Sequence, residues 1–330
     1  MRLRILFHDH CFDGAASAAT FTRFFRDRID RNVDVNYVGL SHGTGNVFPN
    51  DAFSGDENAV LDFRYSQNPR LTWWFDHHQS AFETTADEAH FRATRAPDDA
   101  ALGIRPHKFW DPTVKSCTRY LARLATERYG FDASPLAELV HWAEIIDGAL
   151  FPTPRMAVEL SEPALQLMML LEASKDPTLI PRIIIDLAER TLSEVIAQPY
   201  VQTPLGPLYE KHLSVVRAVR ERARCEDRVA TYDLCDLGIE AANKFIAYDR
   251  FPECLYIVAV TCGEKRVKIS VGSNPWSQRD RRHNLAAICE RYGGGGHPAV
   301  GAISFARDRV EDARQTARDI VALLRTPPAI

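Results

Sequence analysis

The sequence predicts an α/β protein, in which a parallel-sheet domain is joined by helices to a smaller α/β domain, with a cleft between the two. The chain has 330 residues, 45% hydrophobic and 25% charged, which is enough for more than one globular core. In its first third, short apolar runs alternate with helical patterns, as is typical of parallel strands covered on both faces. The strand pattern starts again near residue 226, and this restart predicts the second domain.

The first domain is predicted over residues 1–190. A helix from Gly14 to about Ile29 would place Phe21, Phe25 and Ile29 on one face. Four apolar runs predict its strands, at residues 3–7, 33–40, 58–63 and 71–75. Further along, the pair Asp111–Pro112 is a typical helix start.

Two more helices complete the middle of the chain. The helix that starts at Asp111–Pro112 is expected to end before Gly130, and a second is expected from Ser134 to Gly148. A helical linker is predicted over 191–225, and its prolines are expected to interrupt it at 199, 204 and 207.

The second domain is predicted over residues 226–330. Its predicted strands lie at 228–234, 254–262, 266–273 and 299–305, and its predicted helices at 283–293 and 310–326. The last of these helices is amphipathic and is expected to pack on the sheet.

Charge and cysteine usage exclude some classes of protein. A net charge of −4 and a pI near 6.3 argue against binding of long duplex DNA, which needs a broad basic surface. The seven cysteines are scattered without a CxxC pair, which favours reduced thiols and a cytoplasmic location. We expect no signal peptide and no membrane association, because no apolar run has the length of a bilayer.

Polar residues follow the predicted strands, and in an open parallel sheet ligands bind beyond the carboxyl ends of the strands. They are His8, Asp9, His10, Cys11 and Asp13 after the first strand, Ser41 and His42 after the second, Asp62 after the third, and Asp76, His77 and His78 after the fourth. Alone, Asp62 would most often be a turn residue or helix cap, and His10 or His42 a surface histidine. Three adjacent polar groups after an aromatic strand need partners, and a metal ion would supply them.

Five motifs, in order, resemble those of the DHH phosphoesterase family with its C-terminal DHH-associated domain. They are HDHCFDGAASA at 8–18, LDF at 61–63, DHH at 76–78, the Asp at 147 and GGGGHPAVGAISF at 293–305. This family includes nanoRNases, cyclic-dinucleotide phosphodiesterases and RecJ-like exonucleases. The resemblance spans nearly the whole chain.

The resemblance implies a site with two divalent ions, expected to be Mn²⁺, with Mg²⁺, Co²⁺ or Fe²⁺ as alternatives. His78 would face the scissile phosphate, and Asp76 would orient the histidines through hydrogen bonds. The implied metal ligands are His8, Asp13, Asp62, His77 and Asp147. Asp62 would bridge the two ions.

The first motif departs from the family pattern at Cys11, where many relatives carry the first of two Asp residues. Asp9 and His10 lie nearby but out of register. Three alternatives stay open: a thiolate ligand, a shifted ligand, or a weakly occupied first metal site. A single cysteine is most often a small core residue.

Candidate substrate contacts come mainly from the second domain. In family terms, the glycine backbone and His297 hold the end of the substrate that lies away from the metals, whereas one glycine would suffice for a helix-ending turn. Trp276 could stack on a base, and Arg279 and Arg282 could meet phosphates. The candidates are Gly294, Gly295, Gly296, His297 and Arg281, together with Ser116, and with Thr118, at a helix start in the first domain.

The expected function is hydrolysis of phosphodiester or phosphomonoester bonds in short nucleotides by a water that two metals activate. A dinucleotide or short oligonucleotide is the expected substrate. A cyclic dinucleotide or 3′-phosphoadenosine 5′-phosphate is the alternative within this class. In a different class, the chain would be a nucleotide-binding sensor with a degenerate metal site. The assembly, monomer or homodimer, is left open.

Overall fold

The computed structural model describes residues 1–43, 47–94, 107–279 and 281–326. The chain divides into two compact units, of which the first contains residues 1–150 and 161–206 and the second residues 151–160 and 207–330. Each unit has its own sheet, as the predicted fold class requires. Within the described ranges, we find no helix that has both the length and the apolar character needed to span a bilayer.

The first unit contains a five-stranded sheet in the order β2-β1-β3-β4-β5, and every neighbouring pair is parallel. The strands are β1 (Arg2–His8), β2 (Asp34–Leu40), β3 (Glu57–Leu61), β4 (Trp73–Asp76) and β5 (His107–Trp110). The first four match the predicted apolar runs. Strand β5 was not predicted, because its four residues HKFW are too few to show a pattern.

Strand β4 is buried on both faces of this sheet. Trp73 packs edge-on against Phe21 and Phe24 of the first helix. On the other face, Trp74 packs against Tyr65 and Phe91. The continuous aromatic run is therefore explained by helical or loop cover on both sides of a parallel sheet.

Helices cover this sheet. Helix α1 packs against β1 and also against α3, α4 and α7. The helices of the first unit are α1 (Phe12–Arg28), α2 (Thr85–Thr94), α3 (Cys117–Tyr129), α4 (Ala137–Asp147), α6 (Pro163–Ala173), α7 (Leu179–Glu189) and α8 (Leu192–Ile196). Helix α5 (Pro154–Glu159) belongs to the second unit, where it packs against α10 (Phe245–Arg250).

The predicted helix start at Asp111–Pro112 is wrong. The Asp111 carboxylate accepts hydrogen bonds from the backbone N–H and the hydroxyl of Thr113. Asp111 therefore closes a turn and does not cap a helix. Helix α3 starts at Cys117 instead, capped by the Ser116 hydroxyl, which accepts from the N–H of Arg119. The predicted end is confirmed, because Gly130 has a φ of 62°.

The predicted interruptions at Pro204 and Pro207 are also wrong. Helix α9 (Pro199–Arg222) runs through both of them and crosses from the first unit into the second. The segment 191–225 therefore forms no separate linker, because α8 belongs to the first unit and most of α9 to the second. Residues 151–160, placed by sequence in the first domain, pack with the second unit.

The second unit contains a six-stranded mixed sheet in the order β10-β11-β9-β8-β7-β6, in which only the β7–β8 pair is parallel. The strands are β6 (Arg224–Glu226), β7 (Val229–Asp233), β8 (Tyr256–Cys262), β9 (Arg266–Ser273), β10 (Gly295–His297) and β11 (Val300–Ala306). Helices α11 (Leu285–Glu290) and α12 (Val310–Arg325) pack on this sheet.

Two cysteines of the second unit are paired. Cys235 and Cys262 form a disulfide, and both are buried. The expectation that all thiols are reduced is therefore wrong for these two. Their separation of 27 residues gives no motif in the sequence, since the pairing depends on the turn after β7 lying beside the end of β8.

Candidate metal centre

The parallel register brings the ends of three strands to the same edge of the first sheet. Phe7 of β1 lies beside Leu61 of β3, and Leu61 lies beside Phe75 of β4. The residues that directly follow these paired positions are His8, Asp62 and Asp76. The sequence pattern of one polar group after each strand thus becomes a cluster in space.

Two helices add further side chains to this edge. The N-terminus of α1 supplies Cys11, as its cap residue, and Asp13, in its first turn. Asp147 is the last residue of α4. We call the assembled group the strand-end cluster; its members are His8, Cys11, Asp13, Asp62, His77, His78 and Asp147.

The side chain of His77 lies at the centre of the strand-end cluster. Its Nε2 atom is 3.3 Å from Asp62 Oδ1, 3.3 Å from Asp147 Oδ2 and 3.7 Å from Asp13 Oδ2. On the other side, His8 Nδ1 is 3.4 Å from Asp62 Oδ2. Asp62 therefore has one oxygen toward each imidazole.

Possible ligand atoms gather into three groups around Asp62 and His77. The groups are His8 with Cys11 and Asp62, Asp62 with His77 and His78, and Asp13 with His77 and Asp147. In each group the atoms lie within 4.8 Å of one another. The first and third groups share no residue, and the second group shares Asp62 with the first and His77 with the third.

Unpartnered buried atoms support cation binding here. Both carboxylate oxygens of Asp62, Nε2 of His77 and Nδ1 of His8 are buried and make no hydrogen bond. Asp62 and Asp13 have no exposed surface. Burying such groups without hydrogen bonds is costly, and divalent ions bound to them would offset this cost.

The pKa values of the cluster are strongly shifted by burial and by the neighbouring charges. Burial raises the pKa of Asp62, but the imidazoles of His77 and His8 outweigh it and bring that pKa to about 2. Burial and the charge of Asp62 raise the pKa of Asp147 to about 6 and that of Asp13 well above its usual value. Burial lowers the pKa of His77, but the carboxylates raise it to about 10. His77 thus faces the carboxyl groups of Asp13, Asp62 and Asp147 at 3.3–3.7 Å.

Asp76 connects the two histidines of the DHH motif. Its Oδ1 accepts hydrogen bonds from the backbone N–H of His77 at 2.8 Å and of His78 at 3.2 Å, and lies 2.7 Å from His78 Nδ1. Burial lowers the pKa of His78, but the Asp76 carboxylate raises it to about 9. Asp76 is fully buried and contacts Nδ1 of His78, so it holds the His78 ring in one orientation. The Nε2 atom of His78 takes no part in this contact.

The helix N-terminus expected to bind a phosphate holds Asp13 instead. The Asp13 carboxylate accepts from the backbone N–H of Cys117 at 2.6 Å and of Thr118 at 3.1 Å. The Thr118 hydroxyl donates to the Asp13 carbonyl, and Ser116 caps the helix. Ser116 and Thr118 have no exposed surface, which corrects their assignment as phosphate donors.

Asp9 and His10 lie outside the three ligand groups. His10 has a φ of 55°, and its ring contacts Asp9 Oδ2 at 3.5 Å and the Leu171 carbonyl at 3.1 Å. Cys11, by contrast, belongs to the group with His8 and Asp62. Burial and the charges of Asp62 and Asp13 raise the pKa of the Cys11 thiol well above its usual value.

His42, expected to be a surface histidine if taken alone, is exposed and also lies beside the strand-end cluster. Its ring stacks on Phe63 at 4.8 Å and meets the ring of His8 edge-on at 4.7 Å. Burial, with the neighbouring His8 and His78, lowers its pKa. Its position shortly after β2 could have indicated this location, because β2 lies next to β1 in the sheet.

In the second unit, the segment GGGGH forms β10 and its approach to β11. A Cβ on Gly294 would lie 2.2 Å from the Ala302 carbonyl oxygen, and Gly296 has a φ of 152°. Gly293 has a φ of 76°. Packing and backbone conformation thus explain three of the glycines, whereas a Cβ on Gly295 would meet nothing within 4 Å. His297 is exposed.

The other residues expected to contact substrate have separate locations. Arg281 is exposed, on the loop between β9 and α11. Trp276 packs against Phe245 and donates its indole N–H to the Phe151 carbonyl, so it holds residues 151–160 against the second unit. The indole is partly buried, and its role in stacking on a base stays a prediction.

Comparison with known proteins supports the fold. No protein-family model matches the sequence, and no curated protein matches it. Among solved structures, a pGpG-specific phosphodiesterase, PggH from Vibrio cholerae, has a TM-score of 0.68 and 20% identity over 98% of both chains. The DHH domain of a member of the S1p family of ribosomal proteins has a TM-score of 0.57 and 14% identity, over 98% of this chain and 87% of that chain.

These similarities confirm the expected fold class. The chain has the fold of a DHH domain followed by its associated domain, with the strand-end cluster at the carboxyl edge of the first sheet. That fold is shared with the Vibrio cholerae phosphodiesterase over nearly the full length of both chains.

Proposed function

We propose that this chain is a metal-dependent phosphoesterase that hydrolyses short nucleotides. The observation that carries the proposal is the strand-end cluster. In it Asp62 lies between two groups of possible ligand atoms, and neither of its buried oxygens makes a hydrogen bond. Two divalent ions bound there would lower the pKa of a water and offset the charge of a phosphate. We propose Mn²⁺, two per chain, as the resident ion.

The residues of this chain would divide the work as follows. His8 and Asp62 would hold one ion, and Asp13, His77 and Asp147 the other, with Asp62 between them. The backbone amides at the start of α3 fix Asp13, so its carboxylate does not have to be reoriented when an ion binds.

His78 is proposed to contact the phosphate. Its side chain is 30% exposed, whereas that of His77 is 8% exposed, so His78 is the more accessible of the two. The Asp76 carboxylate favours the imidazolium form, which donates a charge-assisted hydrogen bond to an anion.

The proposed substrate is a linear dinucleotide or a very short oligonucleotide. The net charge of −4 disfavours binding to long strands. The fold is that of a protein described as a pGpG-specific phosphodiesterase, so pGpG is the first compound to test. For the distal part of the substrate we propose contacts with His297, Arg281 and the backbone of Gly294–Gly296.

The experiment is a substrate panel with Mn²⁺: pGpG, other dinucleotides, 5-mers, cyclic dinucleotides and 3′-phosphoadenosine 5′-phosphate, with a chelator control. We expect metal-dependent release of mononucleotides from the linear dinucleotides. Tight nucleotide binding without hydrolysis of any compound would favour the sensor instead.

A further inference from the structure

Cys11 begins α1 through its backbone, and its side chain serves another contact. Its backbone is extended, with φ −125° and ψ 136°, and its carbonyl accepts from the N–H of Ala15 at 3.1 Å. The thiol does not cap the helix. Its sulfur is instead within 4.8 Å of ligand atoms of His8 and Asp62.

The chain contains a comparison for this thiol at the same site. Cys117 is fully buried next to Asp13, yet its thiol donates to the Phe75 carbonyl at 3.3 Å and it joins no group of ligand atoms. Cys117 is thus the packing cysteine of the site. Cys11 is partly exposed, and its sulfur lies within 4.8 Å of a buried oxygen of Asp62 that makes no hydrogen bond.

The two metal positions differ in donor chemistry. His8, Cys11 and Asp62 offer nitrogen, sulfur and oxygen, whereas Asp13, His77 and Asp147 offer only oxygen and nitrogen. Thiolate ligands select ions such as Zn²⁺, Fe²⁺ and Co²⁺, and sites built mainly of oxygen suit Mn²⁺ and Mg²⁺ better.

We infer that Cys11 Sγ is a metal ligand, and that the position formed by His8, Cys11 and Asp62 selects a thiophilic divalent ion. On binding, the S–H bond breaks, the proton leaves to solvent, and the sulfur bonds to the ion without any change in oxidation state. The inference requires only that the strand-end cluster binds metal, and it holds whether or not the chain hydrolyses a phosphoester.

The test is spectroscopic. Metal-free protein is titrated with Co²⁺ without oxygen, and absorption is followed in the near ultraviolet, where cobalt–thiolate bonds give charge-transfer bands. We expect the band in the wild-type chain and in the control Cys225→Ser, which removes a partly exposed thiol of the second unit. We expect its loss in Cys11→Ser.

A second variant tests selectivity and guards against misfolding. Cys11→Asp replaces sulfur by carboxylate oxygen, and should still bind two ions per chain. Competition between Zn²⁺ and Mn²⁺ should show the Zn²⁺ preference of the first position falling by at least about tenfold, as expected for a change of ligand type. Circular dichroism of each variant reports whether it is folded.

Three results would overturn the inference: a wild-type chain without the charge-transfer band, a band that persists in Cys11→Ser, or an unchanged Zn²⁺ preference in Cys11→Asp. The proposed hydrolysis fails separately, because a cobalt–thiolate band without nucleotide hydrolysis would refute the function and leave the ligand assignment intact. Hydrolysis without the band would do the reverse.

Discussion

Asp62 in the first unit is fully buried and neither of its oxygens makes a hydrogen bond, whereas His297 in the second unit is exposed at the end of a short edge strand. Both residues come from motifs that resemble those of the same family, although the GGGGH motif is the clearer one in the sequence. The two residues differ in the free energy of burial. Burying the charge of Asp62 is unfavourable unless a ligand offsets it, whereas the exposed His297 has no such unfavourable term. The following predictions test whether that difference in burial is a difference in function.

Replacing Asp62 should have the largest effect. Asp62 has a φ of 55°, which asparagine tolerates better than alanine, so Asp62→Asn removes the charge with least backbone strain. We expect hydrolysis to fall below about a hundredth of wild type and one or both ions to be lost, because the residue lies between two ligand groups. Metal content and nucleotide release are the measurements.

The matched control for Asp62 is Asp56→Asn. Asp56 precedes the same strand, β3, at the opposite edge of the sheet, where it is exposed and contacts Arg2. It should keep full activity and metal content. If Asp62→Asn also keeps its metal and its activity, Asp62 does not bridge the two positions.

Asp147→Asn should separate stability from metal binding. Partial burial and the charge of Asp62 raise the pKa of Asp147 to about 6. Its carboxylate form therefore destabilises the metal-free protein above that pH, by an amount that its 25% side-chain exposure limits. We expect the metal-free variant to have a higher Tm than the wild type at pH 7 to 8, and Mn²⁺ to raise its Tm less.

The sign of this effect depends on pH. The folded chain holds the Asp147 proton to a higher pH than the unfolded chain does, so the penalty disappears as the pH falls from about 6 toward the usual Asp range. The Tm difference between variant and wild type should shrink over the same interval. A difference that is independent of pH would mean that the charge of Asp147 is not its cause.

Asp76→Asn should have a smaller effect, about ten- to hundredfold on activity, because Asp76 acts through His78. Removing its charge lowers the pKa of His78, which the carboxylate now holds near 9. If His78 acts as an imidazolium, the alkaline limb of the kcat/KM profile should move to lower pH while the metal content stays constant. A loss of activity with an unmoved limb would assign Asp76 a structural role only.

The strand-end part of the cluster could be predicted from the sequence, because in a parallel sheet the residues that follow each strand lie at the same edge. Asp62 and Asp76 directly follow apolar runs, and His77 is the next residue after Asp76. The parallel register of the strands then brings these residues to the same edge of the sheet. Asp147 lies on a helix whose packing against α1 could not be derived from periodicity, and it was assigned only through the family resemblance.

Other features depended on contacts that no pattern in the sequence encodes. Ser116 was expected to be accessible, but Asp13 occupies the amides at the start of α3 and buries it. His42 lies beside the cluster because β2, which it follows, is the neighbour of β1 in the sheet. The turn at Asp111 depends on a hydrogen bond to Thr113 that competes with capping.

The smallest expected effect is that of His297→Ala, and it depends on the substrate. His297 lies in the second unit, outside the strand-end cluster, so its loss should leave both ions bound. A charge-assisted contact with the distal part of a nucleotide would cost about ten- to hundredfold in kcat/KM when removed. A nitrophenyl phosphodiester lacks that distal group and should be cleaved almost equally by mutant and wild type. Gly295→Ala adds a control for shape, since a Cβ there meets no protein atom and can only obstruct a ligand. Equal loss on both substrates in His297→Ala would assign the residue to the fold or the chemical step, and the distal-contact proposal would be rejected.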